Sequence, residues 1–178
     1  LARKNPGKLS YASTGIGSWQ HLVGEWFAQH GWEMLHVPYK GLAPAMTALA
    51  AGQLDLVITN LATGLPFYKD GKVKMLALTQ PSRFDALPEL PAITEAVPEF
   101  DVPAPWYGFW GPPQLPRPIA ARLGADIARS LLAPDVKARL TEMSMVATVT
   151  TPEKFAVIVR DQGVALQKIL KAGNIKLD

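Results

Sequence analysis

The sequence predicts an α/β protein built from βαβ units around a mainly parallel sheet, and three observations point there. Short apolar runs ending at Ala12 and over residues 34–37, 54–58 and 74–78 alternate with segments whose apolar residues recur at helical spacing. Glycines close the helical segments at Gly31, Gly52 and Gly71. Sixteen prolines, many at element boundaries, suit a loop-rich α/β chain better than a helical bundle.

Taken in order, residues 1–8 read as the end of a helix and a turn with no signal-peptide pattern, so the chain is expected to be a fragment of a longer protein. The first strand ends at Ala12, and a helix over residues 21–30 carries Leu22, Val23, Trp26 and Phe27 on one face. A strand over 34–37 leads through Pro38, Tyr39, Lys40 and Gly41 to a helix containing Ala45 and Leu49. A strand over 54–58 follows, marked at its end by Thr59 and Asn60, then a helix over 61–69 and a fourth strand over 74–78. Residues 81–105 form a proline-rich excursion with a short helix over 94–97. An aromatic strand over 106–110 opens a second unit with helices over 116–132 and 134–143, a short strand over 145–148 and a long helix over 151–172. Thr151 caps that last helix, with Pro152 at its first position and Gly173 as its stop.

Composition narrows the function classes. With 48% hydrophobic and 19% charged residues in 178, the chain is globular and can bury a core. Its 18 basic and 15 acidic residues are spread without a basic run, which argues against nucleic acid and against a polybasic membrane patch. Cysteine is absent, which excludes disulfides, thiolate metal sites and a thiol nucleophile. No apolar run reaches the roughly 18 residues that span a bilayer.

The stretch from Ser13 to Ser18 is the most informative loop. It joins a strand to a helix, whose first N–H groups lack intrahelical acceptors and carry the positive end of the helix dipole. Gly15 and Gly17 allow close backbone approach, Ser13 and Thr14 add hydroxyls, and Ser18 is placed to cap the helix. A carboxylate or phosphate suits such a site; an ordinary strand-to-helix turn fits the same residues, and the loop alone does not choose between them. Gln20 stands where a dinucleotide fingerprint needs its third glycine, and neither a phosphate-loop lysine nor a nucleophile elbow is present.

Ligands of open parallel sheets bind at the carboxyl ends of the strands. Besides the loop, those ends supply Tyr39, Lys40, Thr59, Asn60 and Thr79, with no acidic group among them. Polar strand ends occur in any α/β domain, so this set also fits a site-free fold. His21, His30 and His36 lack metal-ligand spacing and read as packing or surface residues, and neither a metal nor a cofactor is expected. Trp26 and Trp32 read as packing residues; Trp106 is the tryptophan best placed to face a ligand.

The chain resembles a known family at several separated motifs in the same order. These are the run from Lys8 to Ser18 with His21 and Leu22, the run from His36 to Gly41 with Pro44 and Ala45, Asn60 and Leu61 with Leu65 and Pro66, the run from Trp106 to Gly108, and the ending from Ala172 to Asp178. They are similar to the Bug-type solute-binding proteins of tripartite tricarboxylate transporters, over essentially the whole chain. The resemblance implies the type II periplasmic binding protein (Venus flytrap) fold. In that reading residues 1–104 are the second, ligand-binding lobe and 105–178 the segment returning to the first. It also implies a periplasmic, non-enzymatic receptor that hands a small carboxylate to transporter membrane subunits. The ligand set it implies is Ser13, Thr14, Gly15, Ile16, Gly17 and Ser18, with Tyr39, Thr59, Asn60 and Trp106 shaping the rest. Many relatives carry Asp where this chain has Thr59, which favours a simple carboxylate over an amino acid. An effector-binding domain of a transcription regulator and a small hydrolase using Ser18 and His21 are the alternatives. Separated from the rest of the clamp, the chain is expected to self-associate through uncovered apolar helix faces.

Overall fold

A computed structural model describes residues 1–85, 87–143 and 145–175. Three parallel strands, β1 (Ser10–Ser13), β2 (Leu35–Pro38) and β3 (Leu56–Val57), form a sheet in the order β2-β1-β3. The register pairs Tyr11 with His36 and Leu56, and Ser13 with Pro38. Asp55 fixes the start of this ladder, its carboxylate accepting from the Ser10 amide and hydroxyl at 2.8 Å each.

Side chains on β1 alternate between two cores, as the pleat requires. Tyr11 enters a cluster with Leu22, Val23, Trp26 and Phe27 of α1 (Trp19–Gln29). Ala12 enters a second cluster with Ala45 and Ala48 of α2 (Leu42–Ala50) and with Leu54. So α1 covers one face of the sheet and α2 the other, and α3 (Leu61–Lys69) packs on α2. β1 therefore feeds a helix on one face and its neighbour β3 leads to helices on the other, which makes the β1–β3 gap the switch point of the sheet.

The contact between Tyr11 and α1 is close enough to predict from. A Cβ at Gly24 would clash with the hydroxyl end of the Tyr11 ring. Glycine-to-alanine inside a helix ordinarily stabilises by up to about 1 kcal/mol. Here overpacking dominates, and Gly24→Ala is expected to destabilise by about 1–3 kcal/mol in denaturant titrations; a stabilised variant would contradict the packing.

Two compact units divide the chain: residues 1–105 with 164–178, and residues 106–163. The first also contains α4 (Ile93–Ala96) and the proline-rich excursion. A bidentate pair holds that excursion: Arg83 Nη2 and Nε donate to Glu95 at 2.7 and 2.8 Å, Arg83 Nη1 donates to the Pro88 carbonyl, and Glu95 accepts from the Ala92 amide. The Arg83 guanidinium, with the Ala92 amide second, holds the Glu95 carboxyl down at about 2. A depressed carboxyl stabilises the fold above its ordinary value and loses that contribution as the pH falls from about 4.5 towards 2. At neutral pH, Glu95→Gln is expected to hasten proteolytic cutting near Arg83 and Pro88; unchanged cutting would show that the pair holds nothing.

The second unit contains α5 (Arg117–Leu131), α6 (Pro134–Glu142) and the first part of α7 (Pro152–Ala172). Trp106 meets Phe155 edge-on at 4.8 Å and donates from Nε1 to Gln162 at 2.6 Å. The second half of α7 belongs to the first unit, where Ile169 is buried and its carbonyl accepts from Gln29 at 3.0 Å.

Several expected elements hold closely, including helices at 61–69, 134–142 and 152–172, and the Thr151 cap, which accepts from the Lys154 amide. Three expected strands do not form among the described residues. Residues 74–78 make only a single parallel bridge, Leu78 to Ala92, and residues 106–110 and 145–148 have no ladder. A strand exists only through a pairing partner, and apolar alternation cannot supply one. Of the motif ending at Asp178, the last three residues lie outside those described.

Candidate functional site

The loop between β1 and α1 lies at the carboxyl end of the central strand, beside the switch point. Gly15 and Gly17 take φ values of 127° and 76°, which side chains with a Cβ rarely adopt. Ser18 caps α1, its hydroxyl accepting from the His21 amide at 3.3 Å.

Hydrogen bonding inside the loop sorts its donors into used and free. The Gly15 amide donates to Ser13 Oγ at 3.0 Å, the Gly17 amide to His21 Nδ1 at 3.1 Å, and the Ser18 amide to the Gly15 carbonyl at 3.2 Å. The Ser18 hydroxyl donates to the same carbonyl at 2.7 Å. Ser13 is fully buried, with Oγ 2.5 Å from His36 Nε2. The two serine hydroxyls thus anchor the loop from within, Ser18 as the expected helix cap and Ser13 through His36 and the Gly15 amide. The amides of Thr14, Ile16, Trp19 and Gln20 have no protein acceptor among the described residues. Thr14 and Ile16 are exposed, just before the positive end of the α1 dipole.

Beneath the loop the histidines are organised, which spacing alone did not reveal. The His21 and His36 rings stack at 4.2 Å, and Tyr11 stacks on His36 at 5.1 Å. Burial first, and His21 second, push His36 down to about 4, so it is neutral at pH 7. His21 accepts at Nδ1 from Gly17, which places its proton on Nε2, facing Glu25 Oε1 at 3.5 Å. Burial, with Glu25 second, pushes the Tyr11 hydroxyl above its ordinary range. A legible signal existed in hindsight: parallel strands at equal register bring Tyr11 and His36 side by side.

The remaining strand ends present fewer groups. Tyr39 is half-buried and its amide donates to the Ser13 carbonyl at 2.9 Å. Asn60 caps α3 by accepting from the Thr63 amide at 2.8 Å, which leaves its NH2 group as the donor available to a ligand. The Thr59 hydroxyl oxygen is buried with no partner among the described residues. Trp106 belongs to the other compact unit, and its indole N–H is taken by Gln162.

The geometry does not assemble the hydrolase alternative. Ser18 Oγ meets the His21 backbone, and the His21 ring is occupied by Gly17 and Glu25. The serine that does meet an imidazole, Ser13, is sealed from solvent. A recess of about 300 Å³ lined by Trp26, His30, Asp101 and Lys168 among others shares no residue with the strand ends. Among the described residues no group of three potential metal ligands occurs, and no helix is long and apolar enough to cross a membrane.

Comparison with known proteins places this geometry in context. A protein of Pseudomonas sp. strain P51, from the tcbD-tcbE intergenic region, is 36% identical over 95% of this chain and 51% of its own length. The solved R. palustris protein Rpa4515 with adipate superposes with a TM-score of 0.85 at 31% identity, over 98% of this chain and 58% of that one. The periplasmic binding protein BugD gives a TM-score of 0.82 at 30% identity, over 98% of this chain and 60% of that one. The fold is thus that of the periplasmic binding proteins, and the chain spans about half the length of the curated relatives it matches. The model of the tripartite tricarboxylate transporter family receptor matches residues 1–175, and the chain belongs to that receptor family.

Proposed function

We propose that this chain carries the carboxylate-gripping part of a periplasmic receptor that closes two lobes over a small organic acid and delivers it to the membrane subunits of a tripartite transporter. Residues 1–104 are the ligand-binding lobe in this reading, and 105–178 return to the other. The observation that carries it is the set of amides at Thr14, Ile16, Trp19 and Gln20 that have no protein acceptor among the described residues, at and just before a helix start beside the switch point of a parallel sheet. One carboxylate fits the loop from Ser13 to Ser18, with Ser13 and Ser18 holding its shape. Tyr39, Thr59 and Asn60 shape the remainder of the pocket on this lobe. Adipate bound to a relative of 31% identity supports a carboxylate ligand.

Thr59 supports the choice of ligand. A carboxylate at this position could receive an ammonium group, whereas a hydroxyl offers no charge to it. The full-length protein is therefore expected to prefer simple mono- or dicarboxylates over the matching amino acids. Calorimetry with adipate, shorter dicarboxylates, citrate and amino acids tests this; tight binding of an amine lacking any carboxylate would overturn the assignment.

A further inference from the structure

The loop offers only some of its amides because two histidines hold the others. The Ser13 hydroxyl has two acceptors in reach, His36 Nε2 at 2.5 Å and the Gly15 carbonyl at 3.2 Å. That carbonyl already accepts from the Ser18 hydroxyl and the Ser18 amide, so the Ser13 proton is directed to His36. With its proton committed, Ser13 Oγ is oriented to accept the Gly15 N–H. On the other limb the Gly17 N–H ends on His21 Nδ1, and Glu25 faces the opposite nitrogen of that ring. Both glycine amides are thereby turned towards the protein by a stacked imidazole pair, one directly and one through a serine.

We propose that His36 and His21 are positioning residues of the anion loop, drawing the Gly15 and Gly17 amides inward so that Thr14 and Ile16 offer theirs to the carboxylate. This rests on the receptor reading above. The groups facing His36 are Ser13 and Tyr11 from β1 and His21 from α1, with Glu25 behind His21. His36 is held neutral by its burial and by His21, which matches an accepting Nε2. Neither histidine touches the ligand in this arrangement. Their effect passes through Ser13 Oγ and the Gly17 amide.

The test uses the full-length protein, adipate as probe, and amide hydrogen exchange at Gly15. His36→Phe keeps a stacking ring and removes the acceptor. It is expected to expose the Gly15 amide to exchange and to weaken adipate binding by about tenfold to a hundredfold, the range for losing one buried hydrogen bond. His36→Gln, whose side-chain oxygen can accept from Ser13, should recover most of both. If His36→Phe fails to fold, Ser13→Ala must show the same two losses. A residue that merely packs would lower the melting temperature while leaving Gly15 protection and affinity unchanged, and that outcome overturns the proposal. Should the wild-type protein bind no carboxylate, the receptor reading fails, and Gly15 exchange in His36→Phe still decides whether the histidines set the loop.

Discussion

At micromolar concentration this chain on its own is expected to elute as dimers or larger assemblies. Tyr107, Phe109 and Trp110 are 85%, 70% and 69% exposed, and Ile119 and Leu123 about half exposed on α5. Neither α5 nor α6 buries a residue, although both carry apolar side chains at helical spacing. Contiguous apolar surface beyond roughly 300–600 Å² is rare on soluble monomers. A second copy is the cover available to the chain on its own; the Pseudomonas relative, of which it spans 51%, carries further chain. Light scattering over a tenfold range of concentration checks this. A monodisperse monomer would show that the faces are satisfied within the chain itself.

The second large effect concerns affinity. A loop of free amides can bind a carboxylate only weakly while water competes for the same donors, and lobe closure removes that water. The isolated chain is therefore expected to bind adipate at millimolar affinity or not measurably. The full-length protein should bind its own carboxylate at about micromolar affinity, on the order of a thousandfold tighter, or ~4 kcal/mol. Calorimetry on both forms under one buffer makes the comparison. Equal affinities would mean that the loop alone suffices for capture.

Legibility of the fold followed the locality of its signals. The helix over residues 61–69, the Ser18 and Thr151 caps and the glycine stops depend on residues within a turn of one another, so the sequence displays them directly. The expected strands over 74–78, 106–110 and 145–148 depended on partners elsewhere, and hydrophobic pattern carries no information about whether a partner is present. The strand-to-helix loop at Ser13 to Ser18 was legible from its small residues and its place before a helix. Its inner wiring was not, since His36 lies on another strand and reaches Ser13 only through the β1–β2 register. The same non-locality explains why Ser13, a natural donor in a sequence, turns out to be spent on His36.

In the proposed receptor the amides around Thr14 and Ile16 grip the carboxylate. Amide chemical shifts of the isotope-labelled full-length protein, titrated with adipate or the preferred acid from calorimetry, test it most directly. Thr14, Ile16, Trp19 and Gln20 are expected to move farthest, with Gly15 and Gly17 shifting less because their N–H groups remain on Ser13 and His21. Saturable binding that leaves all four of those amides unmoved would contradict the account.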